Sequence, residues 1–433
     1  METQSKDQDP RAQAALHHAA TIPSTRSPAT TRRARLDRAR SISDRLFSQV
    51  RPEAWLDRPI PERNRILFYL GHLEAFDWNQ IGRSGANLGS VSDSLDQLFA
   101  FGIDPPPGEL PQDGPQDWPS LERVRAYVRD VRRRLDDVLD DAPDLVFRIA
   151  VEHRLMHAET LAYLLHALPY ERRVVMPSRA ARPSQVLPPP DLRWIEIPAG
   201  MATLGRRRGS GFGWDNEFDP HEEWVEGFAV GKHKITNGQY LRFVEDGGEP
   251  PPFWTSRRDG WRYRGFHAEV PLPLDHPVYV TRDQADAFAR WAGKGKSLPT
   301  EAQFHRYAFG TPEGAERSFP WGDEPPAPGR GSFDFLEDDT ASVNATPAGD
   351  SAFGVSQALG NGWEWTRTPF GPFPGFEVFP SYPGYSAGFF DGVHAVLKGG
   401  SCATDRALLR RSFRNWFRPH YRYAYTTFRL VEV

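Results

Sequence analysis

The feature that most constrains this chain is a change of texture near its middle. Up to about residue 170, apolar residues recur every three or four positions. They run Ile42, Leu46 and Val50; then Ile66, Leu67, Leu70, Leu73 and Phe76; then Val124, Tyr127, Val128, Val131, Leu135 and Val138. A last set, Leu145, Ile149, Leu155, Leu161, Leu164 and Leu165, follows Asp144, which reads as the cap of its helix. This spacing lays one apolar stripe along each helix. Four such helices predict a four-helix bundle over residues 37–170. From 193 to 433 the chain instead holds most of the glycine and nearly all the tryptophan, in short strand-like runs such as Trp194 to Ile197 and Phe228 to Val230. Only two helical stretches stand out there, 237–245 and 282–292, so this half is expected to be a loop-rich α+β domain. Pro177, Pro183 and the triplet Pro188, Pro189, Pro190 mark residues 171–192 as a semi-rigid linker.

Residues 1–36 lack apolar periodicity and are expected to be disordered. The run Arg32, Arg33, Arg35, Arg38, Arg40 reads as the solvated face of a starting helix rather than a basic arm. With 57 acidic against 53 basic residues, the chain has no overall positive field to hold nucleic acid. No apolar run reaches the roughly 18 to 20 residues of a membrane span, which predicts a soluble, cytoplasmic protein without nucleic-acid or membrane partners. The segment from 80 to 118, with Gly85, Gly89 and prolines from Pro105 to Pro119, is too long for a bundle turn and is a candidate functional loop. Cys402 is the only cysteine, so a metal must rely on histidine and carboxylate.

Three histidines stand out. His153 and His157 are spaced i, i+4 on one helix face, and Glu159 follows. His72 lies inside the apolar stretch Leu70, Gly71, His72, Leu73. Such a pair alone is more often a surface coincidence or a hydrogen-bonded core pair, but a third imidazole from a facing helix would make a facial site with open positions. His166 is expected to be structural, and the remaining histidines, His394 among them, have no ligand-like partner in the sequence.

In the second half, Thr236, Asn237, Gly238, Tyr240 and Phe243; Leu298, Pro299, Thr300, Glu301 and Ala302; Gly360, Asn361, Gly362, Trp363, Glu364, Trp365 and Thr366; and Gly399, Gly400 and Ser401 resemble the formylglycine-generating-enzyme or sulfatase-modifying-factor fold, a C-type-lectin-like architecture. Glu364 reads as a fold-holding residue within it. A DinB-like bundle carrying His72 and His153-x-x-x-His157-x-Glu159, joined to that fold, is similar to the ergothioneine-synthase family of non-haem iron sulfoxide synthases. The resemblance implies Fe(II) on His72, His153 and His157, with hercynine and a chalcogen donor joined at the imidazole carbon using O2. It places Arg414, Asn415 and Trp416 beside hercynine, where an aromatic wall suits a trimethylammonium group. It also asks for a proton-donating tyrosine, for which Tyr382 and Tyr385 are the candidates. Formylglycine chemistry would need reactive cysteines, and Cys402 is expected to be a small buried residue.

Departures from the family pattern bear on the donor. Met156 stands where actinobacterial relatives carry Gln, and Phe417 where they carry Asp. The loop that brings arginines to the donor's carboxylates in those relatives reads Asp104, Pro105, Pro106, Pro107, Gly108, Glu109 here. A carboxylate-bearing donor wants fixed cations, for which Arg83, Arg418 and Arg422 remain. The expectation is therefore a selenosugar donor, as in selenoneine synthase. The alternatives are a sulfoxide synthase using cysteine, γ-glutamylcysteine or another thiol; a thiol dioxygenase; and a non-catalytic ligand-binding module.

Overall fold

Thr31 opens the described structure by capping the first helix, its Oγ1 accepting from the Ala34 N–H. The computed structural model describes residues 31–100, 110–174 and 187–432. The expectation of disorder falls on residues 1–36, most of which lie outside these spans, but α1 (Arg32–Phe47) is helical from Arg32 onward and ends before Val50. It is followed by α2 (Ile66–Asp77), the short α3 (Asp93–Leu98), α4 (Leu121–Val138) and α5 (Asp144–Ala167). α1 packs on α5 and α2 on α4, which closes the four-helix bundle. α2 is buried along its whole length, as befits a helix apolar on nearly every side.

Two local readings are corrected. The arginine run of α1 is not a solvated face: Arg32 Nη1 donates to the carbonyls of Leu139, Asp140 and Ala142, Arg40 is buried against Asp136, and Arg38 reaches Asp334 and Asp405 of the second half. Asp144 does not cap α5; Pro143 precedes the helix, and the Asp144 carboxylate accepts instead from Arg148 Nε at 2.6 Å. The loop after α2 begins as a wide π-type turn over Trp78–Gly85, while Asp104 to Glu109 lie outside the described residues.

The second half comprises β1 (Trp194–Ile197), β2 (Gly200–Leu204), β3 (His221–Val225), β4 (Phe228–Gly231), α6 (Asn237–Glu245), β5 (Trp254–Arg257), β6 (Gly260–Arg264), β7 (Glu269–Pro271), α7 (Arg282–Ala292), β8 (Lys296–Ser297), α8 (Glu301–Phe309), β9 (Trp363–Pro369), β10 (Ala395–Lys398), β11 (Asn415–Phe417), β12 (Thr426–Thr427) and β13 (Val431–Glu432). Its two larger sheets have the strand orders β1-β4-β13-β8 and β11-β10-β9-β12. The two runs read as strands pair antiparallel, Trp194 with Gly231 through Ile197 with Phe228. α8 escapes the sequence reading because its residues are buried on every side, which erases periodicity. Thr236, Thr281 and Thr300 each begin a helix with a reciprocal capping box to a glutamine three residues on.

Glu364 ties this half together. Its carboxylate accepts from Lys234 Nζ at 2.9 Å, Arg429 Nη2 at 2.9 Å and Tyr307 OH at 2.6 Å. Burial alone would raise its pKa, but the Arg429 and Lys234 cations outweigh it and hold the group down at about 2. The fold-holding reading of Glu364 matches these contacts. One hydrophobic core runs continuously from the bundle into the second half, through residues such as Leu161 and Phe428, so the seam between the halves is itself packed.

Candidate active site

His72, His153 and His157 are all buried, and their ligand atoms lie within 4.8 Å of one another. Gly71 makes the first position possible. A Cβ there would sit 2.3 Å from the Phe99 ring, so glycine lets that ring close on α2. The Phe99 carbonyl then lies 2.7 Å from His72 Nδ1, fixing the tautomer that leaves Nε2 bare. The His72 ring stacks on Phe68 and that of His153 on Phe76. The Nε2 atoms of His153 and His157 face each other at 3.1 Å.

Burial brings the pKa of His72 to about 4 and those of His153 and His157 well below the ordinary value, so the three rings are neutral. Neutral imidazoles with converging nitrogens suit a metal ion. Two ligands at about 2.1 Å and a right angle would stand about 3 Å apart, which matches the His153–His157 separation. The rings therefore fit a divalent transition metal of the kind imidazole binds, iron, zinc, copper or nickel. Glu159 is no fourth ligand, because its oxygens accept from Trp363 Nε1 at 2.7 Å, Ser401 Oγ at 2.6 Å and Thr404 Oγ1 at 2.7 Å.

The three rings open onto a cavity of about 290 Å³ between bundle and second half. Met156, Tyr382, Tyr385, Asn415, Trp416 and Phe417 line the same cavity, whereas Arg414, expected beside them, is buried away from it with its Nε donating to Glu301 at 3.0 Å. Tyr382 comes closest to the histidines, its ring centroid 6.0 Å from that of His153. Burial raises its pKa to about 12. Tyr385 is further out, stacked on Trp214 at 3.9 Å, with its hydroxyl 3.5 Å from Met156 Sδ. Trp416 stacks on Phe370 at 4.2 Å and presents its ring beside Tyr385 and Phe389. Phe417 lies flat on Tyr421 at 4.8 Å, and Asn415 Oδ1 accepts from the Trp416 N–H.

Several cavity residues escape sequence reasoning. Arg63, 3% exposed, lines the cavity and donates through Nε to Tyr421 OH at 3.0 Å; it precedes α2 in a segment without periodic signal. Arg83, Arg418 and Arg422, the arginines expected to meet a donor, do not line it. Phe389 and His394 come from a loop with no helical or strand pattern. His166 is structural as expected: its nitrogens meet Tyr425 OH at 3.1 Å and the Arg264 carbonyl at 2.6 Å, pinning α5 to the second half. Cys402 is 2% exposed, with Tyr279 OH 3.9 Å from its sulfur, and burial raises its pKa well above the ordinary thiol value.

Residues 35–168 match the DinB superfamily, and residues 181–433 match the sulfatase-modifying factor enzyme 1-like domain. The chain is 34% identical over 339 residues to hercynine oxygenase of Mycolicibacterium smegmatis, an alignment covering 71% of this chain and 77% of that one. It is 34% identical over 337 residues to hercynine oxygenase of Mycobacterium tuberculosis, covering 72% and 78%. Ergothioneine biosynthesis protein 1 of Schizosaccharomyces pombe is 27% identical over 421 residues, covering 86% of this chain and 52% of the relative. The relatives named are thus proteins of hercynine and ergothioneine, with no selenium enzyme among them. Matched in both halves and across the seam that carries the three histidines, the chain belongs to the ergothioneine-synthase-like family of enzymes.

Proposed function

We propose that this chain is a non-haem iron(II), O2-dependent synthase that joins sulfur from a thiol donor to the imidazole carbon of hercynine. The observation that carries the reading is the convergence of three neutral imidazoles on a cavity whose far wall is aromatic. Iron(II) held by His72, His153 and His157 would supply dioxygen activation and keep a coordinated thiol deprotonated. The protein does the rest by placement. Trp416, Phe389 and Tyr385 offer ring faces to the trimethylammonium group, a contact worth roughly 0.5 to 2 kcal/mol. That anchor leaves the imidazole end directed toward the histidines, so the reacting atoms meet without a search.

Tyr382 is the proton donor in this reading. Its pKa of about 12 keeps the hydroxyl protonated at neutral pH, which suits an acid and not a base. Its ring stands at the metal end of the cavity, whereas the Tyr385 hydroxyl is engaged with Met156. Arg63 brings a guanidinium to the cavity wall beside Phe417 and Tyr421, and a carboxylate on cysteine or γ-glutamylcysteine would find its counter-charge there. A selenosugar donor giving selenoneine is the second reading. Met156 and Phe417 favour it, since both put apolar surface where a carboxylate donor would want polar groups.

The test is a competition. Purified iron-loaded protein with hercynine and O2 is offered cysteine, γ-glutamylcysteine and a selenosugar together, and the products are weighed by mass spectrometry. A hercynine–sulfur adduct supports the main reading and a selenium adduct the second. Oxygenation of the thiol without a bond to hercynine would indicate a dioxygenase. His153→Ala should lose iron by elemental analysis and lose turnover; a wild-type protein that holds no iron and makes no product, and that loses no ligand binding on His153→Ala, would favour the binding-module reading.

A further inference from the structure

We infer that His394, held by Asp391, is the group that binds the carboxylate of hercynine. The inference rests on hercynine occupying the cavity as proposed above, and it assigns a residue that the metal and the aromatic wall leave unexplained.

The argument starts from the substrate's own geometry. In an amino-acid betaine the trimethylammonium and the carboxylate are attached to the same carbon, so wherever the cation is seated its carboxylate follows within a few ångströms. If the cation rests on Trp416, Phe389 and Tyr385, a hydrogen-bonding group is needed next to those rings, since a carboxylate leaving water unpaired is costly. His394 lines the cavity there, its ring edge-on to Phe389 with centroids 5.3 Å apart, and Phe389 in turn lies 5.5 Å from Trp416.

Its surroundings show a prepared side chain. Asp391 Oδ2 is 2.9 Å from His394 Nδ1, while Oδ1 accepts from the backbone N–H of Val393 at 2.9 Å and of His394 at 3.1 Å. Partial burial works against the ionised carboxylate, but those two backbone N–H groups and the imidazole outweigh it and hold Asp391 at about 2. The ring is thereby fixed in orientation, with Nδ1–H committed to Asp391 and Nε2 turned away from it. No protein atom among the described residues bonds Nε2, although the side chain is 9% exposed. With a carboxylate on either side, the ring bridges the two, Nδ1–H to Asp391 and Nε2–H to the incoming carboxylate of hercynine. Arg63 stands elsewhere on the cavity wall, over the Tyr421 ring, and takes no part in this assignment.

The experiment measures recognition rather than rate. Hercynine and its decarboxylated counterpart, N,N,N-trimethylhistamine, are titrated calorimetrically into iron-loaded protein without oxygen. Wild type should prefer hercynine by about 10- to 100-fold, the range expected for one hydrogen bond to a charged group. His394→Phe should bring the two ligands to near parity by weakening hercynine alone, and its unchanged affinity for trimethylhistamine would show that the pocket is intact. Asp391→Asn, which keeps the backbone contacts, should give an intermediate ratio and raise the hercynine KM more than it lowers kcat. Retention of the wild-type ratio in His394→Phe, or in Asp391→Asn should the first variant fail to fold, would overturn the assignment, as would a wild type that binds both ligands equally. A wild type that binds neither ligand would instead remove the hercynine reading itself.

Discussion

Replacing Glu159 separates two ways in which a buried carboxylate can matter. The side chain projects from α5, two residues after His157, and accepts three hydrogen bonds from the second half. In Glu159→Ala the Trp363 N–H loses its acceptor outright. The two hydroxyls have partial substitutes, because Ser401 Oγ and Thr404 Oγ1 already stand 3.4 Å apart. One stranded donor at about 1 to 3 kcal/mol, plus weakened hydroxyl bonds, gives a loss of about 2 to 4 kcal/mol. Glu159→Gln keeps an oxygen for Trp363 and Ser401 and asks only that the Thr404 hydroxyl turn round, so its cost should stay below about 1 kcal/mol.

Charge adds a sign. Burial raises the pKa of Glu159 against the pull of its three donors. A carboxyl whose folded pKa is raised contributes stability that is fully present below its unfolded value and is lost as pH rises through the folded one. Glutamine does not titrate, so Glu159→Gln should gain on wild type as pH rises. Urea unfolding followed by tryptophan fluorescence at pH 5 and pH 8 reads all of this, and metal affinity should fall with Glu159→Ala because α5 is loosened beside its ligands. If alanine and glutamine prove equally damaging, or alanine costs under about 0.5 kcal/mol, the acceptor argument is wrong.

Tyr382→Phe should cut turnover by roughly 100- to 10,000-fold with stability almost unchanged, since its hydroxyl bonds no side chain or backbone among the described residues; a rate within threefold of wild type would discard Tyr382 as the acid. Arg410 lies half-buried between the buried acids Glu152 and Glu217, its guanidinium 2.5 to 3.0 Å from both carboxylates. Arg410→Met should therefore cost about 3 to 5 kcal/mol in urea unfolding, because it strands two buried acids. For Glu364, whose folded pKa of about 2 lies below the ordinary 4.5, the contribution is present above pH 4.5 and is lost as pH falls toward 2. The shift corresponds to about 3 kcal/mol. Glu364→Gln should flatten that acid limb, and an unchanged limb would place it elsewhere.

The bundle, its helix spacing and the histidine trio were legible because each depends on local periodicity or on an unusual residue within it. A histidine amid Leu70, Gly71 and Leu73 breaks an apolar stripe and so announces itself. Arg63 and His394 do not, since each lies in a segment without repeat and acquires meaning only when distant elements close around it. α8 was lost for the opposite reason: uniform burial leaves no polar face to set a period. The arginine run of α1 misled because a charged helix face reads as solvated unless its partners are known, and those of Arg38 lie in the second half, at Asp334 and Asp405.

One helix explains why the site lies at the seam. At 3.6 residues per turn, positions 152, 156, 159, 163 and 166 of α5 fall along a single stripe. That stripe meets the second half throughout: Glu152 receives Trp214 Nε1 and Arg410, Met156 meets the Tyr385 hydroxyl, and Glu159 takes three donors. Tyr163 lies edge-on to Tyr425, and His166 bonds the Tyr425 hydroxyl and the Arg264 carbonyl. His153 and His157 lie to one side of this stripe, about 100° to 140° further round the helix, which turns them toward α2 and His72. The helix that supplies two of the three imidazoles is thus the one the second half grips along its length. Loosening any part of that grip should show in the metal centre and, because one core runs on from the bundle into the second half, in the stability of the whole as well.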